Sequence, residues 1–342
     1  MRKQMFVTLC VAAACLAVTT HPASAQKASR PTDESRVPRR VDGRPDLEGV
    51  WDFRSITPLQ RPAELRDKAV LTAEEVATLE KRAASACGDR PPTPGNVGSY
   101  NSFWIDSGAK VVDGTRTSII VDPPDGRLPP LVPGVVRQVG SYMDNWMPGK
   151  RPVRYRGGGL YPEGPEDRGL AERCLVGFNS GPPVLPGGYN QNVQIFQTSG
   201  HVVLFHEMVH DARIVPLDGR PHVRDGIRQW MGDSRGRWEG DTLVIESTNF
   251  TDKTLSFNDS LTSGMGTGKT LRLTERLRRV DADTLEYQFT VNDPATFTRP
   301  FTGMIPMKKS NERVFEFACH EGNYALRHIL AGARQAESQS AK

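Results

Sequence analysis

The strongest constraint on the fold is a run of short alternating segments separated by tight polar turns, starting at Val193. Leu285, Tyr287, Phe289 and Val291 fall on one side of an extended chain, and Glu286, Gln288 and Thr290 on the other. Side chains alternate along a strand, so this pattern suits a sheet wet on one face only. Strands are expected at Val193–Gln197, His201–His210, Arg213–Pro216, Arg237–Glu239, Thr242–Thr248, Leu271–Arg279, Thr284–Val291, Phe301–Pro306 and Val314–Ala318. Glu239-Gly240-Asp241, Asp281-Ala282-Asp283 and the Leu217–Pro221 stretch are the polar links between them. So many short strands in sequence must close on themselves or pack as two sheets to protect their edges. The predicted fold is mainly β: an antiparallel barrel.

The N-terminal half decorates that barrel. Leu47–Phe53 alternates and reads as the first strand, and Thr117–Val121 as another. Thr72 and Glu75 form a capping box for a helix over 72–86, with Val76, Leu79 and Ala83 at helical spacing. Residues 122–192 hold much of the proline and glycine and predict a long irregular insertion, with a short helix around Arg137–Trp146. A last helix is expected from Gly322 to Ala333, with Tyr324, Ile329 and Leu330 packing inward.

Residues 1–25 have the form of a secretory signal. Arg2 and Lys3 precede an apolar stretch, and Ala23-Ser24-Ala25 supplies a cleavage site. The expected organisation is a signal at 1–25, a flexible leader at 26–44, a single barrel domain over 45–334 and a disordered tail at 335–342. Nothing else is apolar enough to span a bilayer. The expected location is periplasmic or secreted. A net charge of +4, interspersed along the chain, does not suggest a nucleic-acid partner. Cys10 and Cys15 leave with the signal, so Cys87, Cys174 and Cys319 remain. An oxidising compartment favours one disulfide. The first choice is Cys174–Cys319, because both flank segments that look structured; the other pairings stay open.

Two motifs invite chemistry. His206-Glu207-Met208-Val209-His210 is a literal HExxH. On a helix the two imidazoles lie about 6 Å apart and can share a zinc ion, with the glutamate activating water. On a strand they are separated by about 13 Å and cannot. The β-branched flanks and the absence of a third ligand at a known spacing favour the strand, and hence no cofactor; zinc held by His206 and His210 is the alternative. Gly264–Thr270 resembles a phosphate-binding loop, but Ser263 stands where the first glycine is required and a strand pattern follows. It is expected to be a flexible hairpin loop.

Several stretches together resemble a family of uncharacterised exported bacterial proteins of similar length. They are Pro45–Trp51, Val121–Arg127, Arg173–Asn192, Glu207–Arg213, Arg235–Val244 and Cys319–Tyr324. The resemblance covers nearly all of the chain after residue 44 and implies no particular activity. Gly49-Val50-Trp51 on the first strand is also similar to the opening of lipocalin-like barrels. That likeness implies a lipocalin-like barrel and fixes no function.

The candidate binding residues are Glu207, His210, Asp211, Arg213, His222, Arg228 and Trp230. On one strand, Glu207, Asp211 and Arg213 would share a face, with His210 opposite. Charges among apolar neighbours must be paired or must serve a ligand. Asn179, Tyr189, Asn190, Gln191 and Asn192 are a second group, suited to a sugar or a peptide backbone, or to satisfying their own loop. Three functions follow. The first is an exported protein that binds, with or without acting on, a small organic molecule in a barrel cavity. The second is a zinc hydrolase, and the third a non-catalytic envelope module. Oligomeric state is not encoded legibly.

Overall fold

A computed structural model describes residues 37–86, 88–94, 98, 105–106, 108–139, 163–260 and 263–341. The expected signal, most of the leader, Cys87 and most of the helix expected around Arg137–Trp146 lie outside the described residues.

The first strand, β1 (Gly49–Asp52), is the seam of the main sheet. It pairs antiparallel with β4 (Asn192–Gln197) on one side and with β13 (Phe301–Ser310) on the other. From β4 the chain meanders through β5 (His201–His206) to β6 (Ala212–Pro216). On the far side, β13 joins β12 (Thr284–Asn292), β11 (Arg272–Arg279), β8 (Thr242–Thr248) and β7 (Asp233–Glu239). The short strand β2 (Ile120–Asp122) adds to β13. The order is thus β6-β5-β4-β1-β13-β12-β11-β8-β7, antiparallel throughout. Mainly β, antiparallel architecture is therefore as expected.

Closure is not complete. No hydrogen-bonded ladder joins β6 to β7 among the described residues. The two end strands nevertheless touch at Gly236, where a Cβ would lie 2.6 Å from Leu217 Cδ2 and 2.8 Å from Val215 Cγ1. Only glycine fits this approach. One core cluster fills the inside of the curl, with Trp51, Val193, Ile195, Leu204, Val215, Ile245, Leu277, Phe289, Phe301 and Ile305 all buried. The alternation of Leu285, Tyr287, Phe289 and Val291 is realised, each buried. Each such apolar side chain stabilises by about 1.5–3 kcal/mol.

Several expectations are corrected. The segment 201–210 is not one strand: it leaves β5 at His206 and makes a single 3-10 turn over Met208–His210. Val314–Ala318 forms no strand. Gln138–Val139 is a strand (β3) where a helix was expected to begin. It pairs with β10 (Ser263–Met265), which pairs with β9 (Phe257–Ser260), so the expected hairpin loop at 264–270 contributes to a second small sheet. The leader is not all free, since Arg39 Nη1 donates to Asp241 Oδ1 at 2.9 Å. The expected disordered tail is largely helical: α2 spans Ala325–Ser340. Ile329 and Leu330 on it are half-buried, but Tyr324 is exposed. The first helix, α1 (Ala73–Ala86), carries its capping box, with Thr72 N donating to Glu75 Oε2 at 2.7 Å and Glu75 N to Thr72 Oγ1 at 3.3 Å. Leu79 faces solvent, because α1 presents Val76 and Ala83 to the protein instead.

A charged pair crosses the core. Arg213 on β6 and Glu275 on β11 are 4% and 0% exposed. The guanidinium binds the carboxylate through both Nη atoms, with Nη2 to Oε1 at 2.9 Å. Tyr287 Oη donates to the same Oε1 at 2.7 Å and accepts from Val184 N at 3.0 Å. Burial disfavours the charge on Arg213, but Glu275 more than offsets this and raises its pKa. Removing one partner strands the other, which costs about 3–5 kcal/mol, whereas removing both is often neutral. Glu275→Leu is therefore expected to lose about 3–5 kcal/mol in urea denaturation. The double change Arg213→Met with Glu275→Leu should recover most of that loss; a double loss equal to the sum of the two single losses would mean the pair is not coupled.

Candidate functional site

A cleft of about 1150 Å³ opens where the turn after β5, the 171–192 loop and the segment leading to α2 meet. The disulfide Cys174–Cys319, with Cα atoms 5.7 Å apart, ties the last two together as expected from the sequence. Phe178, Tyr189, Phe315 and Phe317 contribute aromatic surface to the cleft. Tyr189 stacks on Phe317 with centroids 6.5 Å apart, and Phe178 meets Tyr189 edge-on at 5.4 Å. Glu207 and Asn192 line the same cleft.

Local sequence explains how Glu207 is placed. Its N–H donates to Asn192 O at 3.0 Å, extending the β4–β5 ladder by one residue. The chain then turns sharply through Val209 and His210, at φ 61° and 46°. A β-branched residue pays a steric penalty there, yet Val209 is held buried in a cluster with Cys174 and Met208. Gly177 lets the loop close on this turn, since a Cβ would lie 2.2 Å from Met208 Cγ. Ser180 Oγ donates to Met208 O at 3.1 Å. Glu207 is 5% exposed, and Asn192 Nδ2 donates to its Oε2 at 2.8 Å.

The amide-rich stretch divides by role. Asn179 Nδ2 donates to Tyr189 O at 2.8 Å and Gln191 Nε2 to Asp106 O at 2.6 Å, so both satisfy backbone. Asn192 serves Glu207 instead, while Asn190 lines the cleft at φ 51°.

The other predicted residues are not brought to one place. The turn at 208–210 breaks the alternation that would have aligned Glu207, Asp211 and Arg213. Arg213 points into the core, while Asp211 accepts from Gly177 N at 3.3 Å behind the cleft. His210 is exposed, with Nδ1 3.0 Å from Phe317 O. Arg228 and Trp230 line a separate groove of about 590 Å³ between β6 and β7, together with Arg213 and Asp233. Arg228 Nη1 donates to Phe250 O and Lys269 O, each at 3.0 Å. Arg173 lies over the Trp230 ring at 5.9 Å. His222 Nδ1 sits 2.8 Å from Asp233 Oδ2. Burial alone would raise the Asp233 pKa, but Val223 N–H, His222 and Arg235 outweigh it and hold it below the usual carboxylate range.

His206 and His210 do not form a metal pair. The helix that HExxH requires is absent: His206 ends a strand and is 1% exposed, whereas His210 is on the surface. No group of three or more His, Cys, Asp or Glu among the described residues is placed to hold a metal ion.

The sequence reading missed the C-terminal contribution to the cleft: Glu312, Phe315, Glu316, Phe317 and Asn323. The usable signal was Cys319, because its bridge to Cys174 carries the preceding residues to the 171–192 loop. Compared with known proteins, the chain matches no family model, no curated protein and no solved structure. No helix among the described residues is long and apolar enough to cross a membrane.

Two buried groups near the turn make stability pH-dependent. Burial, and then the charge on Arg213, lowers the His206 pKa from 6.5 to about 3, and neither ring nitrogen has a protein partner. The unfolded chain therefore takes up a proton first, and stability is lost as pH falls from 6.5 towards about 3. His206→Leu should flatten this acid limb, read as denaturation midpoint against pH. Burial raises the Asp211 pKa from 3.8 to about 6, opposed by the Gly177 N–H, the charge of His210 and Ser180. Its folded form holds the proton more tightly, so stability falls as pH rises from 3.8 to about 6. Asp211→Asn keeps an acceptor for Gly177 N–H and should stabilise the protein by about 1–2 kcal/mol at pH 8. A variant no more stable than the parent there would show that Asp211 is not strained by ionisation.

Proposed function

We propose that this is an exported, periplasmic or secreted, binding protein that holds a small organic molecule in the cleft beside Glu207. The sheet is read as a lipocalin-like barrel left open between β6 and β7. Its binding site lies at the rim rather than in the lumen, because interior side chains form one core cluster. The observation that carries the reading is the cleft itself: about 1150 Å³, with aromatic walls and a few placed polar groups. Concavities of this kind, apolar with sparse polar groups, are the usual form of small-molecule sites. The zinc-hydrolase alternative loses its support with the helix. An envelope interaction module would use the edges of β6 and β7, which share no ladder among the described residues, and nothing in their chemistry selects a partner.

The test is a fragment screen by ligand-observed NMR on the folded, disulfide-bonded protein. A parallel screen uses Ala318→Trp combined with Ala325→Trp, at two exposed positions lining the cleft. Fragments that bind the parent should weaken at least tenfold in the variant, with its melting temperature unchanged. If no fragment distinguishes the two proteins, the cleft is not a ligand site and the interaction-module reading replaces it.

A further inference from the structure

We infer that the ligand of this cleft is an organic cation: a small amine with an aromatic or aliphatic body. The inference rests on the cleft being a binding site and adds the charge of its occupant.

The charged groups that line the cleft do not balance. The cleft is lined by Arg54, Asp106, Glu172, Glu207, Glu312 and Glu316. Among the described residues the cation that lines it is Arg54, already committed because it pairs with Asp52 at 2.5 Å and also with Asp106. Glu172 is matched by Arg168 at 3.0 Å. Glu207, Glu312 and Glu316 have no cationic partner among the described residues. The cleft therefore carries unneutralised negative charge.

Glu207 is not a solvated surface acid: it is 5% exposed. Among the described residues its one side-chain hydrogen bond comes from a neutral amide, Asn192 Nδ2. Burying a carboxylate without a counter-charge is costly, and such groups are normally paired. The protein has paired its comparably buried Glu275 with Arg213 and Tyr287. Glu207 has the burial without the partner, and it lines a cavity large enough to supply one.

The material of the walls points the same way. Ring faces attract ammonium groups and also cover an apolar body. Phe178, Tyr189, Phe315 and Phe317 put such rings in the same cleft as the carboxylate. An anion would meet the acids, and a neutral hydrocarbon would leave Glu207 unpaired beneath it. A cation with an apolar body satisfies both. Exposed Glu312 and Glu316 add a field at the mouth that draws cations in and weakens with salt.

The test compares one body with three charges: phenethylamine, 2-phenylethanol and phenylacetate, titrated by calorimetry at pH 7. The amine should bind at least tenfold more tightly than the alcohol, and phenylacetate should not compete. Added salt should weaken the amine and spare the alcohol. Glu207→Gln keeps the acceptor for Asn192 and should bring the amine and the alcohol to within about twofold of each other. Should that variant fail to fold, Glu312→Gln with Glu316→Gln changes only exposed positions and should weaken the amine several-fold without affecting the alcohol. An alcohol that binds as well as the amine overturns the charge assignment and leaves the cleft reading standing. The assignment also falls if the amine advantage persists in folded Glu207→Gln. No binding of any of the three, with fragment hits in the cleft retained, overturns the amine assignment alone. No hits at all removes the cleft reading beneath it.

Discussion

The interior of the sheet is crossed by a buried ion pair, Arg213–Glu275. A guanidinium and a carboxylate taken out of water together must satisfy each other or destabilise the fold. Here they do so across the interior, from β6 in one meander to β11 in the other, two strands that share no ladder. The pair thus spans the curl from the side where the ladder is open. Tyr287 extends the contact to the irregular insertion, because its hydroxyl both donates to Glu275 and receives Val184 N–H. One buried charge pair therefore ties two halves of a sheet and a loop that has no regular structure of its own.

That arrangement is not free of cost. His206 shares the neighbourhood, and the charge of Arg213 helps to keep it neutral. Both His206 ring nitrogens and Arg213 Nε lack protein partners. Unpaired buried polar atoms are expensive. They persist beside a turn at which Val209 and His210 adopt left-handed backbone. Strain of this kind collects where the surrounding structure overdetermines a conformation for use. The use closest at hand is the placement of Glu207, one residue beyond the end of β5.

The sheet was legible because its signal is local. Alternation in β12 and tight turns at Glu239–Asp241 and Asp281–Asp283 state which residues face inward before any tertiary contact is known. The capping box of α1 is equally local. The turn at 208–210 was not legible, because its flanks are strand-like and nothing in His206–His210 is a turn residue such as Gly, Pro or Asn. What bends the chain there is tertiary: the closing of Gly177 and Ser180 on Met208. The same bend separates Glu207 from Arg213, which the pattern had placed on one face. Phe315 and Phe317 were hidden for a related reason. Their alternation predicts a strand, yet no strand forms at 314–318 and they line the cleft instead. The candidate site sits where long-range contacts override local preference, so local pattern finds the scaffold and scatters the candidate residues.

Why the cleft should sit at the rim follows from packing. A curled sheet whose interior already holds aromatic side chains and an ion pair has little room for a ligand, and filling it further would force off-rotamer side chains. The end beside β5 is different, because two segments without regular structure meet there and can shape a concavity. Such segments lose order easily unless they are tied down. Here the tie is covalent, since Cys174–Cys319 joins residues 145 apart in sequence at the cleft itself. The bridge fixes Phe317 against Tyr189, and Tyr189 against Phe178. A preformed wall spends less binding free energy on ordering itself. Rigid sheet, strained turn and tethered loops thus converge on Glu207, a buried carboxylate of the cleft with no cationic partner among the described residues.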